Sequence, residues 1–336
     1  MNENFPTPKV IGGSAYEKEE VDKLVQRKQR ESLESLYGED LLESTPEENE
    51  VISSAVDYVQ AVAEQYGSQR NASVDRVAVV KNGALKKYGG GLYSNLDDTI
   101  AVERCESLLL LGRTVAHELF HKMGYKSFQV KESEGSGRKD GIYRTGISMK
   151  SRKDSSTYFL QAEEAMAAVM SASFFTDVLS KEEHFQEEIQ SSEAIKSWMV
   201  TQIKTKKQPE HISNRNISFV ESIAVFPHAI ELLNVIKTSD KDSEYIFGYI
   251  GGFLEQEIEQ GVMFTERPAE SEEFESTILR LVESDPWLSL TKEELFEMFA
   301  KAHFTGNYLP LARKIDSALG VGTFRVVAKE LGVNFK

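Results

Sequence analysis

The stretch T-V-A-H-E-L-F-H-K-M-G-Y, residues 114–125, sets His117 and His121 four positions apart with Glu118 between them. On a helix, side chains at i and i+4 leave the same side one turn apart, so two imidazoles can reach one ion at about 2.0–2.1 Å. Glu118 is turned from His117 by about 100° around such a helix. It therefore need not ligate and can hold a water, whose pKa a zinc ion lowers to about 7. The combination yields a hydroxide nucleophile at neutral pH and a carboxylate able to pass a proton to a leaving amine. The five-residue pattern arises by chance in roughly one chain of this kind in a hundred, so the surrounding elements decide whether it is a site.

The helix that must carry these residues is expected from about Glu106 to Met123, with Ser107 as its cap and Gly124 suited to a left-handed C-terminal position. Leu108, Leu111, Val115 and Leu119 share one face of it, and the two histidines fall on roughly the opposite face. Upstream, Val51, Ile52, Ala55, Val59 and Val62 recur at helical spacing, which predicts a packed helix starting at Thr45-Pro46 and ending near Gly67. R-V-A-V-V-K-N then reads as a strand, Gly89 to Gly91 as a turn, and T-I-A-V-E-R-C, residues 99–105, as a candidate edge strand. The triple glycine is no phosphate loop, because neither the following Lys-Ser/Thr nor a strand-to-helix switch is present.

Downstream, K-S-F-Q-V-K and G-I-Y-R-T-G-I-S-M alternate like the arms of a hairpin, with Asp140-Gly141 as a turn signal. S-T-Y-F-L-Q-A-E-E-A-M-A-A-V-M then reads as a second helix, bearing Glu163 and Glu164 amid small and apolar residues. Residues 1–45 are charge-rich with sparse apolar positions and read as an exposed helix or arm. From about residue 216 the pattern is helical, including a capping box from Thr291 to Glu294 with a Leu290/Leu295 staple. The fold class expected is α+β: a small mixed sheet with the histidine helix, followed by a mostly helical domain. The parts expected are residues 1–45, 46–200 and 201–336.

Composition narrows the function. At 40% hydrophobic residues the chain is too apolar to be disordered, and its 336 residues exceed one ordinary core. A formal charge of −15 argues against nucleic acid or anionic lipid as the main partner. The locally basic residues 201–215 read as a solvated linker. No apolar run approaches the roughly 20 residues of a membrane span, and the N-terminal stretch lacks the pattern of a secretory signal. Cys105 is the only cysteine, so no intrachain disulfide is available; the expectation is a cytoplasmic protein.

H-E-L-F-H followed by F-L-Q-A-E-E-A-M-A-A resembles the gluzincin metallopeptidases, over roughly residues 46–200. In that group the H-E-x-x-H helix is joined by a glutamate ligand from a later helix. The resemblance implies a zincin-like catalytic domain binding zinc through His117, His121 and Glu164, with Glu118 as general base and acid and a peptide or protein as substrate. Glu164 directly precedes Ala165, as the ligand does in the family's L-N-E-A form; Glu163 is the alternative. Whichever does not ligate is turned by about 100° toward a supporting or surface position.

The family likeness also implies a rim strand that receives extended substrate, a role for which T-I-A-V-E is placed. Tyr125, Tyr143, Arg144 and Tyr158 are candidates to stabilise the oxyanion. Two departures stand out. Lys122 occupies a place usually uncharged and is read as snorkelling outward, and an alanine replaces the family's Asp or Asn after the ligand, which leaves the polar support of a histidine unidentified. His184, His211, His228 and His303 read as surface or satisfied core residues, and Cys105 as a small packing residue. The expected function is a zinc-dependent peptidase. The alternative is a regulatory or binding protein on the same scaffold, in which metal serves the fold.

Overall fold

The computed structural model of the chain describes residues 9–11, 15–85, 90–104, 107–131, 139–151, 156–187, 189–190, 225–227, 262–264, 268–283 and 291–334. The chain runs β1 (Lys9–Ile11), α1 (Ala15–Gln29), α2 (Leu33–Tyr37), β2 (Leu41–Leu42), α3 (Pro46–Gln65), β3 (Val77–Val80), β4 (Gly91–Ser94), β5 (Thr99–Glu103) and α4 (Leu108–Met123). It continues with β6 (Lys126–Lys131), β7 (Lys139–Thr145), β8 (Ser148–Lys150), β9 (Ser156–Tyr158) and α5 (Leu160–Asp177). After β10 (Val225–Pro227) and β11 (Val262–Phe264) come α6 (Pro268–Glu283), α7 (Lys292–Thr305), α8 (Leu309–Leu319), α9 (Thr323–Glu330) and β12 (Val333–Asn334).

The architecture is mixed α/β, with two small mixed sheets and a helical part. One sheet has the order β2-β3-β5-β4, in which β3 and β5 are parallel and the other pairs antiparallel. The other has the order β1-β6-β7-β8-β9-β12, antiparallel except for the β1–β6 pair. β10 and β11 pair with each other. T-I-A-V-E is thus not an edge strand: β5 lies between β3 and β4, which accounts for its near-complete burial. Among the described residues the edges of this sheet are β2 and β4, and β4 opens at Gly91, the last residue of the expected glycine turn.

Local signals place the helices. Thr45 caps α3 through a capping box with Glu48, its side chain accepting from the Glu48 N–H while Glu48 accepts from the Thr45 N–H. Ser107 caps α4 by accepting from the Leu110 N–H. Gly124, by contrast, is extended (φ −62°, ψ 153°) rather than left-handed. Glycine is needed there for close approach, because a Cβ would fall 2.9 Å from Gly146 Cα and 2.9 Å from His303 Cε1.

The apolar face of α4 packs on α3 and α5. Val59, Leu111, Val115, Leu119, Phe120 and Phe174 meet there in one buried cluster, where each large side chain stabilises by about 1.5–3 kcal/mol. Phe274, Leu295, Phe299, Leu311 and Val327 from α6 to α9 belong to the same cluster, so the described C-terminal helices share a core with the histidine helix. The boundary expected near residue 200 lies outside the described residues, as do Leu290 of the expected staple and the basic stretch 201–215. α1 forms where expected but is not exposed all round: Val21 and Val25, one turn apart, bury against Phe128. Among the described residues no helix is long and apolar enough to cross a membrane.

Candidate metal centre

α4 presents His117 and His121 on the side away from its core stripe, with their Nε2 atoms 3.2 Å apart. α5 brings Glu164 to the same place, its Oε2 lying 3.6 Å from His117 Nε2 and 3.7 Å from His121 Nε2. These three residues form a group able to hold a metal ion. The circle through the three facing atoms has a radius of about 2.0 Å, the length of a zinc–nitrogen or zinc–oxygen bond. Two imidazoles and a carboxylate converging at that radius fit a divalent cation of borderline softness. All three side chains are half-buried, so a fourth position can face solvent.

The start of α5 is set from outside the helix. Phe159 takes a left-handed backbone (φ 57°), unusual for a bulky residue. It is buried against Phe299, Tyr308 and Phe324, and its N–H donates to the carbonyl of Ala328. The C-terminal helices therefore fix the direction in which Glu163 and Glu164 leave the chain.

Glu163, turned away from the triad by one residue, is 2% exposed. Its Oε1 faces His121 Nδ1 at 3.0 Å, and its Oε2 accepts from the Ile147 N–H at 2.8 Å and lies 2.9 Å from His303 Nδ1. This carboxylate supplies the polar support for His121 that no residue directly after Glu164 provides. Burial raises its pKa, but the imidazoles of His303 and His121 outweigh burial and pull it down to about 2. Burial likewise disfavours charge on His121, yet Glu164 and Glu163 hold its pKa well above the ordinary value. Gly146, at φ 53°, admits this cluster: a Cβ there would fall on His303 Nδ1 and both Glu163 oxygens.

Glu118 stays out of the triad and turns toward β4. Its Oε1 lies 2.9 Å from the point a Cβ on Gly91 would occupy, so the carboxylate is tucked under the first residue of the edge strand. A buried ion cluster holds that hairpin on α4. Asp98, left-handed (φ 57°) between β4 and β5, accepts at Oδ1 from Arg70 (2.9 Å), Tyr93 (2.7 Å) and Lys126 (2.6 Å). Lys122 donates to the Asp98 carbonyl at 2.8 Å. Lys122 does not snorkel outward: it is 2% exposed and points inward. One carboxylate faces three cations. Burial, against the attraction of Asp98, lowers Lys122 to about 8, and burial with Arg70 lowers Lys126 well below its ordinary value.

Of the oxyanion candidates, Arg144 is committed elsewhere. Its guanidinium donates to the carbonyls of Gly146 (2.7 Å), Gly306 (2.7 Å) and Ala302 (2.9 Å) and stacks between Tyr308 and Tyr125. Tyr158 packs against the core, and Tyr143 lies on β7. His184 is exposed, whereas His303 is 1% exposed and satisfied at both nitrogens. Its proximity to the site had no local signal, since 140 residues separate it from Glu163. Cys105, His211 and His228 lie outside the described residues. Compared with known proteins, the chain matches no family model, no curated protein and no solved structure, so the reading of this centre stands on its own residues.

Proposed function

We propose that this chain is a zinc-dependent peptidase of gluzincin type, with His117, His121 and Glu164 as ligands and Glu118 as general base and acid. The observation that carries the reading is the joint placement of a His/His/Glu triangle of bonding radius and a separate carboxylate beneath an edge strand. Zinc at that position supplies Lewis acidity toward a scissile carbonyl and a water acidic enough to ionise near neutral pH.

The chain's own groups do the rest. The Glu118 carboxylate accepts the proton of the attacking water at one oxygen and returns it to the departing peptide nitrogen. The outer edge of β4 offers backbone N–H and C=O groups to an extended peptide, which it binds by strand addition directly above Glu118. The partner is accordingly a peptide or an unfolded segment of a protein. A cytoplasmic setting belongs to the same proposal and rests on the single cysteine.

Elemental mass spectrometry of the wild type with His117→Ala, Glu164→Ala and Glu118→Gln, beside hydrolysis of a peptide mixture, tests this. The wild type should carry about one zinc per chain, lost from the first two variants and kept by Glu118→Gln, which should no longer cleave. Cleavage by Glu118→Gln at the wild-type rate would overturn the peptidase reading in favour of a binding protein. A wild type that takes up no zinc would overturn the metal centre itself.

A further inference from the structure

We infer that His303, on the C-terminal helix α7, is a positioning residue of the metal centre: through Glu163 it fixes the ring of His121, which makes α7 part of the site. This rests on the metal-binding part of the function proposed above and adds to it a residue that the sequence resemblance does not assign.

His303 Nε2 faces the carbonyl of Phe120 at 3.0 Å, and a carbonyl only accepts, so Nε2 carries a proton. His303 Nδ1 faces Glu163 Oε2 at 2.9 Å, and Glu163 also takes the Ile147 N–H. The ring thus bridges the Phe120 carbonyl on α4 and the Glu163 carboxylate on α5. The remaining Glu163 oxygen accepts from His121 Nδ1–H at 3.0 Å. That bond keeps a proton on His121 Nδ1 and leaves Nε2, which faces His117 and Glu164, as the nitrogen a metal would take.

His303 thus grips His121 from two sides. One bond goes to the carbonyl of the residue just before it on α4, the other to the carboxylate that holds its ring. The grip is itself anchored. The His303 carbonyl accepts from the Tyr125 N–H at 2.8 Å, and Arg144 binds the carbonyls of Ala302 and Gly306 on either side of His303. Without the His303 ring, Glu163 Oε2 would retain one N–H partner in a buried place, and its hold on His121 would loosen. Because occupancy of the site and docking of α7 act through the same bonds, each favours the other.

Two substitutions separate this role from simple packing. The amide nitrogen of His303→Asn lies near the Nδ1 position and keeps a donor for Glu163. That of His303→Gln lies near Nε2 and keeps only the tie to Phe120. Zinc affinity is measured on the full-length proteins by competition with a chromophoric chelator, beside thermal unfolding of the metal-free forms. His303→Gln should bind zinc about 10- to 100-fold more weakly than wild type, and His303→Asn close to wild type, although both lose metal-free stability.

Equal affinity in His303→Gln and wild type would overturn the inference. So would equal weakening of the two variants in step with their stability, the result of a structural role alone. A wild type that binds no zinc would overturn the metal reading together with this inference, so the two failures are distinguishable. A measurement on unaltered protein stands beside these: zinc added to protein labelled with ¹⁵N in histidine should move the ring signals of His303 along with those of His117 and His121. Unmoved His303 signals would overturn the coupling whether or not the variants fold.

Discussion

A methyl group on Gly91 tests whether Glu118 and β4 act as one unit. Gly91 does not have a positive φ, so alanine meets no backbone penalty there. Its Cβ, however, would stand 2.6 Å from Thr114 Cγ2, 2.9 Å from Glu118 Oε1 and 3.2 Å from Glu118 Cγ. Carbon atoms settle at about 3.5–4.0 Å, so the Thr114 methyl must retreat by about 1 Å and the Glu118 side chain by about half that. Overpacking of this kind costs about 1–3 kcal/mol. Since a reacting group misplaced by 1 Å loses on the order of 10²-fold in rate, kcat/KM should fall roughly 10- to 100-fold.

The assay is hydrolysis of quenched fluorescent peptides, with zinc content and the denaturation midpoint measured on the same samples. Zinc should be unchanged, because neither Thr114 nor Glu118 belongs to the ligand triangle. Adding Thr114→Ser removes the Cγ2 methyl and should restore stability without restoring cleavage. Wild-type cleavage by a folded, zinc-loaded Gly91→Ala protein would refute the reasoning. Recovery of cleavage in the double variant would refute it as well, by tracing the loss to Thr114.

Further outcomes follow from the core and the ion cluster. Gly112→Ala places a Cβ 2.7 Å from Val51 Cγ1 and 3.1 Å from Leu179 Cδ1; it should lower stability by about 1–3 kcal/mol in urea denaturation and leave zinc content intact. Phe299→Ala, in α7 but fully buried in the cluster that holds α4, should cost about 3–5 kcal/mol, and one cooperative transition should report the loss for both parts of the chain. The Asp98 cluster predicts a pH dependence. Burial depresses the pKa of Lys126 in the folded state, so between that value and the ordinary one of about 10.4 the unfolded chain holds the extra proton, and folding becomes more favourable as pH rises. Wild type should therefore gain stability relative to Lys126→Met as pH rises toward about 10; a difference that does not change with pH would count against a desolvated lysine.

Much of this molecule was legible in sequence because the signals are local. The i, i+4 spacing of His117 and His121 brings their ring nitrogens within 3.2 Å, and the geometry of one helical turn suffices for that. Ser107, and the boxes at Thr45 and Thr291, mark helix starts through bonds spanning three residues. The pairing of β6 with β7 follows the alternation of both segments, whereas Asp140 and Gly141, expected as its turn, lie within β7 opposite Val130 and Gln129. That Glu163 and Glu164 point in different directions follows from the 100° step; which one reaches the Nε2 atoms of His117 and His121 does not.

What local pattern lacks is the identity of the neighbour. V-A-V-V and T-I-A-V-E are both β-branched runs, and only the pairing order β2-β3-β5-β4 makes the second an interior strand and gives an edge to β4. Lys122 sits in the sequence like any surface lysine after a helical histidine, yet it turns inward because Asp98 is waiting in the hairpin packed against α4. His303 is one histidine in a helix until α7 docks and brings it to Glu163. The sequence by itself determined the starts of α3, α4 and α7 and the two-histidine arm of the centre, since bonds over three or four residues need no tertiary contact. Only the tertiary structure decided the edge strand, the buried lysines and the support from α7, because burying distant side chains in one core selects among many chain arrangements that local pattern leaves equivalent.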